Sequence, residues 1–293
     1  MSLTASLAFP EIETLESNRQ SKVIVLAASK LELSILPKLY ETLLAMGKVQ
    51  KLDVLLYGNG GETNTARRIG LLLHEFCEQL SFIVPHHCQS ACTLLALTGK
   101  EIIAGDLALF SPVDPGLTST SDTPSGSPGT LASEDVRLFC DMAEQWFGVS
   151  DQASKHQLLE ALMHSVFPTT LTSLYRSTEE QRQIAEELLA FHQPDNQDFP
   201  KAQVIEQLMH GYHSHHYSLT GNDLAALGLN ITRNQEVELI AWRIASKLGA
   251  NIGSRAMQSI DEPLNDMLIA SKESTFIRQK HPHVPAPSWQ NIK

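Results

Sequence analysis

Two stretches decide the fold class: residues 51–66, KLDVLLYGNGGETNTA, and residues 81–99, SFIVPHHCQSACTLLALTG. Each begins with an apolar run that is typical of a buried strand, passes through a polar turn and continues with the apolar spacing of a helix. A third β-branched run, KVIVLAA at 22–28, precedes them. Because strands that alternate with helices form βαβ units, the sequence predicts an α/β fold with a mainly parallel sheet.

Composition and hydrophobic patterning divide the chain into six segments. Within them, the helix after the first turn is expected at about 63–80 and the next strand at 81–85. The segments are a polar lead-in (1–20), an α/β core (21–118), a flexible loop rich in Ser, Thr, Pro and Gly (119–130), a helical extension (131–210), a His-containing segment with closing helices (211–271) and a polar tail (272–293).

Charge and composition exclude several classes of protein. The 293 residues carry a formal net charge of −11, and an acidic surface disfavours wholesale binding of nucleic acid. No run of about 18 apolar residues is present, so no transmembrane segment is expected, and any membrane contact would be peripheral or through a partner. The N-terminus lacks the pattern of a signal peptide, and four Cys in so long a chain do not form a disulfide framework. These features predict a cytoplasmic protein.

The glycine turn Gly60-Gly61 ends the strand at 51–57. Consecutive glycines expose backbone N–H groups that can hold an anion or a developing oxyanion. The alternative is a tight turn that needs positive φ. A dinucleotide fingerprint would require glycine at position 63, where Thr63 stands.

Ser90 follows the strand at 81–85, at the point where an apolar helix is predicted. This position favours a nucleophilic serine, but serines are also common as helix caps, so both interpretations stay open. Cys88 and Cys92 flank Ser90 and could be taken for nucleophiles, although free cysteines beside an apolar helix are more often small core residues.

Four motifs between residues 56 and 229 together resemble the serine dehydrogenase proteinase family, which belongs to the Clp protease/crotonase superfamily and is related to signal peptide peptidase A. They are LYGNGGETNTA, VPHHCQSACTLLAL, PVDP and GYHSHHYSLTGNDLAALGL. The resemblance implies a Clp protease/crotonase-like spiral of ββα units. It also implies that Ser90 is the nucleophile and that Gly60, Gly61 and the N–H of Ala91 form the oxyanion hole. Nothing in the sequence indicates a dehydrogenase.

The general base is where the sequence departs from this superfamily. Some superfamily peptidases use a lysine some tens of residues after the serine, but no Lys or Arg occurs between Lys100 and Arg137. Clp-type peptidases use a histidine shortly downstream, and the corresponding stretch, ALFSPVDPGL, contains none.

Other residues are candidates for the base. We favour His215 and then His213, because an imidazole titrates near neutral pH without unusual burial. Lys155, beyond the loop, is a third candidate. Asp114 could orient the base, or it could simply belong to a proline-flanked turn.

The histidines also allow a competing interpretation as zinc ligands. His210, His213, His215 and His216 lie close together in the sequence, and His86, His87 and Cys88 lie elsewhere. No familiar zinc-binding spacing is present, so we expect neither a metal nor another cofactor.

The combined features predict a serine hydrolase, most simply a peptidase that acts on a peptide or protein substrate through an acyl-enzyme at Ser90. A homo-oligomer is expected, because superfamily members usually enclose their sites by assembling. One alternative is a catalytically silent scaffold or binding subunit, which the missing lysine and histidine favour. The other is an acyl-CoA-processing enzyme of the crotonase type, for which no motif is evident.

Overall fold

The computed structural model describes residues 7–113, 116–118, 130–193, 196, 198–253, 259, 261–284 and 286–292 of the chain. For residues 116–118 and 130–132 only the backbone is described. The candidate residue Asp114 and most of the loop predicted at 119–130 lie outside the described residues.

Strands form where the sequence has its β-branched and apolar runs. In chain order they are β1 (Lys22–Ala28), β2 (Val49–Gly58), β3 (Cys77–Val84), β4 (His87–Cys88), β5 (Glu101–Ala104), β6 (Leu109–Phe110), β7 (Gly116–Thr118), β8 (Thr130–Ala132), β9 (Ile231–Thr232), β10 (Leu264–Ala270), β11 (Thr275–Lys280) and β12 (Ser288–Asn291).

Helices fill most of the segments between the strands. They are α1 (Glu11–Arg19), α2 (Leu36–Met46), α3 (Thr63–Phe76), α4 (Ala91–Ala96), α5 (Ser133–Arg137), α6 (Phe139–Phe147), α7 (Gln152–Ser165), α8 (Pro168–Leu189), α9 (Lys201–His210), α10 (Gly221–Ala226) and α11 (Gln235–Asn251).

The sheet has the strand order β12-β11-β10-β1-β2-β3-β5-β9, and β4 and β6 branch from it beside β2. The pairs from β1 to β9 are parallel, whereas β10, β11 and β12 add antiparallel strands at one side. Helices pack on both faces around two buried apolar clusters. The predicted α/β fold with a mainly parallel sheet is therefore confirmed.

The carboxyl ends of β2 and β3 bring the two deciding stretches together. Gly58 at the end of β2 pairs with Cys88 in β4, and Gln89 N–H donates to the Gly58 carbonyl at 3.1 Å. Because parallel strands end at the same edge of a sheet, the glycine turn and Ser90 meet there.

Three segments differ from the pattern read in the sequence. The helix expected at 63–80 ends at Phe76, because β3 already begins at Cys77, opposite Val49 of β2. The polar lead-in contains α1, whose Ile12 and Leu15 are buried. The polar tail contains β11 and β12, which hydrogen-bond to the antiparallel side of the sheet.

The segment 133–191 is helical as predicted, and α8 begins at Pro168, where proline suits the first turn. Two of these helices bury little, since α7 has no buried side chain and α6 buries only Ala143, whereas α8 packs its C-terminal half into the core. Within the described residues, no helix combines the length and the apolar character that crossing a membrane requires.

Candidate active site

Ser90 occupies a strained position between β4 and α4. Its backbone has φ 52° and ψ −120°, a region that L-residues rarely adopt and that costs about 1–3 kcal/mol. Its side chain makes no capping hydrogen bond to α4. The geometry is therefore not that of an ordinary serine cap, and the surrounding structure must hold the residue in place.

A network of buried hydroxyls surrounds the Ser90 peptide. The Ser90 N–H donates to Ser111 Oγ at 2.8 Å, and the Ser111 N–H donates to Thr93 Oγ1 at 3.3 Å. The Thr93 hydroxyl donates to the Cys88 carbonyl at 2.7 Å. These bonds fix Ser90 relative to β4, α4 and the residue that follows β6.

Gly60 lies directly against Ser90. It has φ +105°, and a Cβ built there would lie 2.8 Å from Ser90 Cβ and 3.3 Å from Ser90 Oγ. Gly61 has φ +143°, and a Cβ there would lie 2.3 Å from the Leu31 nitrogen. Both positions need glycine, so the turn brings bare backbone beside the Ser90 hydroxyl.

Two backbone N–H groups beside Ser90 are available to a ligand. Ala91 is the first residue of α4, and the N–H groups of a first helical turn have no partner within the helix. In the described part of the chain, neither the Ala91 nor the Gly61 N–H has a hydrogen-bond acceptor. Both N–H groups belong to the chain next to Gly60 and Ser90, and their role as oxyanion donors, like that of Ser90 as nucleophile, stays a prediction.

The range 37–127 contains the glycine turn, Ser90 and the hydroxyls of Thr93 and Ser111. This segment matches the family of ClpP-like SDH-type serine proteinases. The match confirms the resemblance over these residues, which make up about a third of the chain. For residues 128–229 the resemblance stays a prediction.

Two curated relatives are similar to shorter stretches. Uncharacterized protein MJ1495 of Methanocaldococcus jannaschii is 34% identical over 64 residues, which are 22% of this chain and 22% of that protein. Uncharacterized protein MJ0137 of the same organism is 34% identical over 73 residues, which are 25% of this chain and 26% of that protein. The matched stretches thus span about a quarter of either relative's length.

The cysteines beside the serine of this proteinase-like segment are poor nucleophiles. Burial raises the pKa of Cys92 to about 12, although a hydrogen bond with the Gly60 backbone partly opposes this increase. Burial and the neighbouring Cys92 raise the pKa of Cys88 well above its ordinary value. Because the thiolate is the reactive form, both side chains act as buried apolar groups here.

The candidate bases His213 and His215 lie in the exposed loop between α9 and α10. This loop is attached to the serine site through Leu219 and Phe110, which exchange backbone hydrogen bonds of 2.8 and 2.9 Å. Among the described residues, Ser90 Oγ has no hydrogen-bond partner, so the structure brings neither imidazole onto the hydroxyl.

Lys155, the third candidate, lies on α7, where its Nζ contacts Glu144 Oε2 at 2.8 Å. The hydrogen bond and charge of Glu144 raise the pKa of Lys155, so its amine stays protonated at neutral pH and cannot accept a proton. Asp114 lies outside the described residues, so its proposed orienting role stays a prediction.

The sequence analysis missed a buried pair, His210 and Glu134. His210 Nδ1 lies 3.0 Å from Glu134 Oε2, and Arg137 also binds this carboxylate. Burial works to raise the pKa of Glu134, but hydrogen bonds from Arg137 and His210 hold it below its ordinary value. The pair lines a cavity of about 420 Å³ between α5, α8 and α9. Because the partners are 76 positions apart in the sequence, no local pattern connects them.

The zinc interpretation finds no geometric support in the described part of the chain, where no three His, Cys, Asp or Glu side chains form a group that could hold a metal ion. His86 and His87 instead form ring contacts with each other and with Tyr57, and His86 also contacts Trp242.

Proposed function

We propose that the protein is a serine hydrolase, and specifically a peptidase, that forms an acyl-enzyme at Ser90. The observation that carries the proposal is the strained Ser90 backbone, packed against a glycine that leaves room for no side chain. Strain of this kind is kept where the surroundings fix it, and it is concentrated at functional sites. The match of residues 37–127 to serine proteinases supports the same chemistry.

The proposed reaction has two steps. Ser90 Oγ attacks the carbonyl carbon of the scissile peptide bond while its proton passes to a base, and the Ala91 N–H, with the glycine turn, stabilises the oxyanion. The C–N bond then breaks, and the amine leaves with the proton from the base. A water molecule hydrolyses the resulting ester by the same route and restores Ser90.

The proposed base is His215, with His213 as the second choice. Leu219, at the end of the loop between α9 and α10, pairs with Phe110 of β6. The residue after Phe110 is Ser111, which accepts the hydrogen bond of the Ser90 N–H. Four residues of extended chain span at most about 14 Å, so His215 lies within that distance of Leu219. The proposal requires this exposed loop to move so that an imidazole reaches Ser90, and apo structures often show catalytic hydrogen bonds that are long or poorly aligned.

A second candidate function is a catalytically silent scaffold. The observation in its favour is that Ser90 Oγ has no hydrogen-bond partner among the described residues. A scaffold needs the fold and its surfaces but no base, so labelling of Ser90 by a serine-directed reagent separates the two functions.

We also propose that the chain forms a homo-oligomer through the helical extension. Trp146, Phe147 and Phe167 are more than 70% exposed, and Tyr175 is 67% exposed. Aromatic side chains bury roughly 150–250 Å² each, so these four approach the roughly 800 Å² per partner of a stable interface. The 14-residue helix α7 buries no side chain in its own chain, and an isolated helix of that length is marginal. A second copy of the same surface provides the missing contacts.

Fluorophosphonate labelling tests the proposed hydrolase. The purified protein is treated with the probe, and the modified residue is identified by peptide mass spectrometry. We expect an adduct on Ser90 that is absent from Ser90→Ala but unchanged in Ser165→Ala, which removes an exposed hydroxyl on α7. A folded native protein that shows no labelling would favour the scaffold.

A further inference from the structure

The Ser90 N–H has an unusual partner. It donates to the side chain of a residue 21 positions later in the sequence rather than to a neighbouring turn. That residue, Ser111, is 1% exposed, and its own hydroxyl proton points to the Pro112 carbonyl at 3.2 Å. The Ser111 oxygen is therefore oriented to accept from Ser90.

Thr93 extends the contact from the other side. It is fully buried, its Oγ1 accepts the Ser111 N–H, and its hydroxyl donates to the carbonyl of Cys88. Each hydroxyl thus both donates and accepts, as a buried hydroxyl must to avoid an unsatisfied polar group. The two side chains connect the chain before Ser90, the helix after it and the end of β6.

The contacts also decide which N–H groups remain for a substrate. The Ser90 N–H already donates to Ser111 Oγ. It therefore cannot also donate to the oxygen of the substrate carbonyl group that Ser90 Oγ attacks. The next amide, Ala91 N–H, has no acceptor in the described part of the chain. The orientation of the peptide group that contains the Ser90 N–H therefore determines that the Ala91 N–H is the donor left for the substrate oxygen.

We propose that Ser111 and Thr93 are positioning residues that hold Ser90 in its reactive conformation and reserve the Ala91 N–H for the oxyanion. This inference rests on the proposed hydrolase function, in which Ser90 is the nucleophile. Neither residue touches the substrate; both act through the Ser90 peptide. The Ser90 backbone relaxes when either hydroxyl is lost, and Oγ then leaves its place beside Gly60.

The test compares variants of the full chain that differ by one hydroxyl. Ser111→Ala removes the acceptor for the Ser90 N–H, and Thr93→Val removes the second hydroxyl at nearly constant volume. Thr93→Ser restores the hydroxyl and serves as the rescue. Thr98→Val is the matched control, because Thr98 is equally buried in the segment after α4 and its hydroxyl donates to Leu95 rather than to the Ser90 network.

Three measurements are made on each variant. They are the rate constant of fluorophosphonate labelling, separated into probe binding and covalent reaction, the thermal midpoint of unfolding, and amide hydrogen exchange of the peptide that contains Ser90. A purely structural role lowers the midpoint and speeds exchange of the Ser90 amide, whose acceptor Ser111→Ala removes, but leaves the covalent step unchanged. A positioning role also slows the covalent step.

We expect Ser111→Ala and Thr93→Val to slow the covalent step by about tenfold to a hundredfold, because small misplacements of a reacting group have effects of this size. Their midpoints should fall no further than that of Thr98→Val, and Thr93→Ser should recover most of the native rate. Unchanged rate constants of the covalent step in two folded variants would overturn the proposal, even if the Ser90 amide exchanges faster in them. If the native protein is not labelled, the hydrolase function fails and the proposal fails with it, whereas labelling of the native protein with an unchanged rate in both variants refutes the positioning role alone.

Discussion

Gly60 and Ser90 are in such close contact that position 60 cannot carry a side chain. A Cβ at Gly60 would lie 2.8 Å from Ser90 Cβ and 3.3 Å from Ser90 Oγ. The glycine turn in residues 51–66 therefore limits the space around the Ser90 hydroxyl, which belongs to residues 81–99. This contact connects the parallel sheet to the proposed chemistry.

Gly60→Ala should slow fluorophosphonate labelling by more than about tenfold, because the new methyl group displaces Ser90 from its position. Gly148→Ala is the control, since Gly148 also has a positive φ (+72°) but nothing within 4 Å of an added Cβ. That control should lose about 1–2 kcal/mol of stability from backbone strain and keep its labelling rate. Equal labelling of both variants would contradict the role given to the Gly60 contact.

His215→Ala should lower the labelling rate by about 10²–10⁴-fold, the usual contribution of a general base. His216→Ala is the neighbouring control, as the two rings lie 5.5 Å apart in the same exposed loop. Loss of labelling in His213→Ala but not in His215→Ala would move the base to His213. Full labelling in both would exclude this loop as the source of the base.

Acidification should destabilise the protein partly through His192. Its side chain is fully buried, Nε2 accepts the Asn230 N–H at 2.8 Å, and burial lowers its pKa despite a hydrogen bond with Gly99. Because the folded-state pKa lies below the unfolded value, the unfolded chain binds the proton more readily. The contribution of neutral His192 is complete above about pH 6.5 and is lost as the pH falls below it.

His192→Gln removes this titration, so its free energy of unfolding should depend less on pH between about pH 5 and 7.5 than that of the native protein. His164→Gln, on the exposed helix α7, should keep the native dependence. Urea denaturation at each pH gives the comparison. Parallel curves for all three proteins would rule out the assigned role of His192.

Replacing Trp146 and Phe147 by glutamate should shift the protein to smaller species, because charges at the centre of an apolar interface oppose its burial. Sedimentation velocity at several protein concentrations measures the change. Tyr40→Glu, which alters an exposed aromatic residue on α2, should sediment as the native protein does. An unchanged distribution in the double variant would show that the helical extension does not carry the interface.

Local signals predict much of the fold and the centre of the site. The run at 22–28 forms β1 over the same residues, because a buried parallel strand needs a continuous apolar sequence. Ser90 and Gly60 could be placed together from the rule that parallel strands end at one edge. Strand β11 could not be predicted, because its sequence is largely polar. Its Arg278 is buried because it forms ion pairs with Asp266 and Glu32, and a local apolar pattern does not indicate such burial.

The contacts that the sequence conceals are those between distant residues. Ser111 lies in the irregular segment after β6, and no sequence pattern indicates its hydrogen bond with Ser90, which is 21 positions away. His210 and Glu134 are likewise joined by the packing of α9 against α5 and α8 rather than by any spacing. Tertiary packing decides such contacts, and a local pattern carries no information about them.

The most direct test of the central claim is the crystal structure of the protein after fluorophosphonate treatment. We predict a covalent bond between the phosphorus atom and Ser90 Oγ, with the phosphoryl oxygen about 3 Å from the Ala91 nitrogen, where an oxyanion would bind. An unmodified Ser90 in a fully treated sample, or an adduct on another residue, would contradict the account.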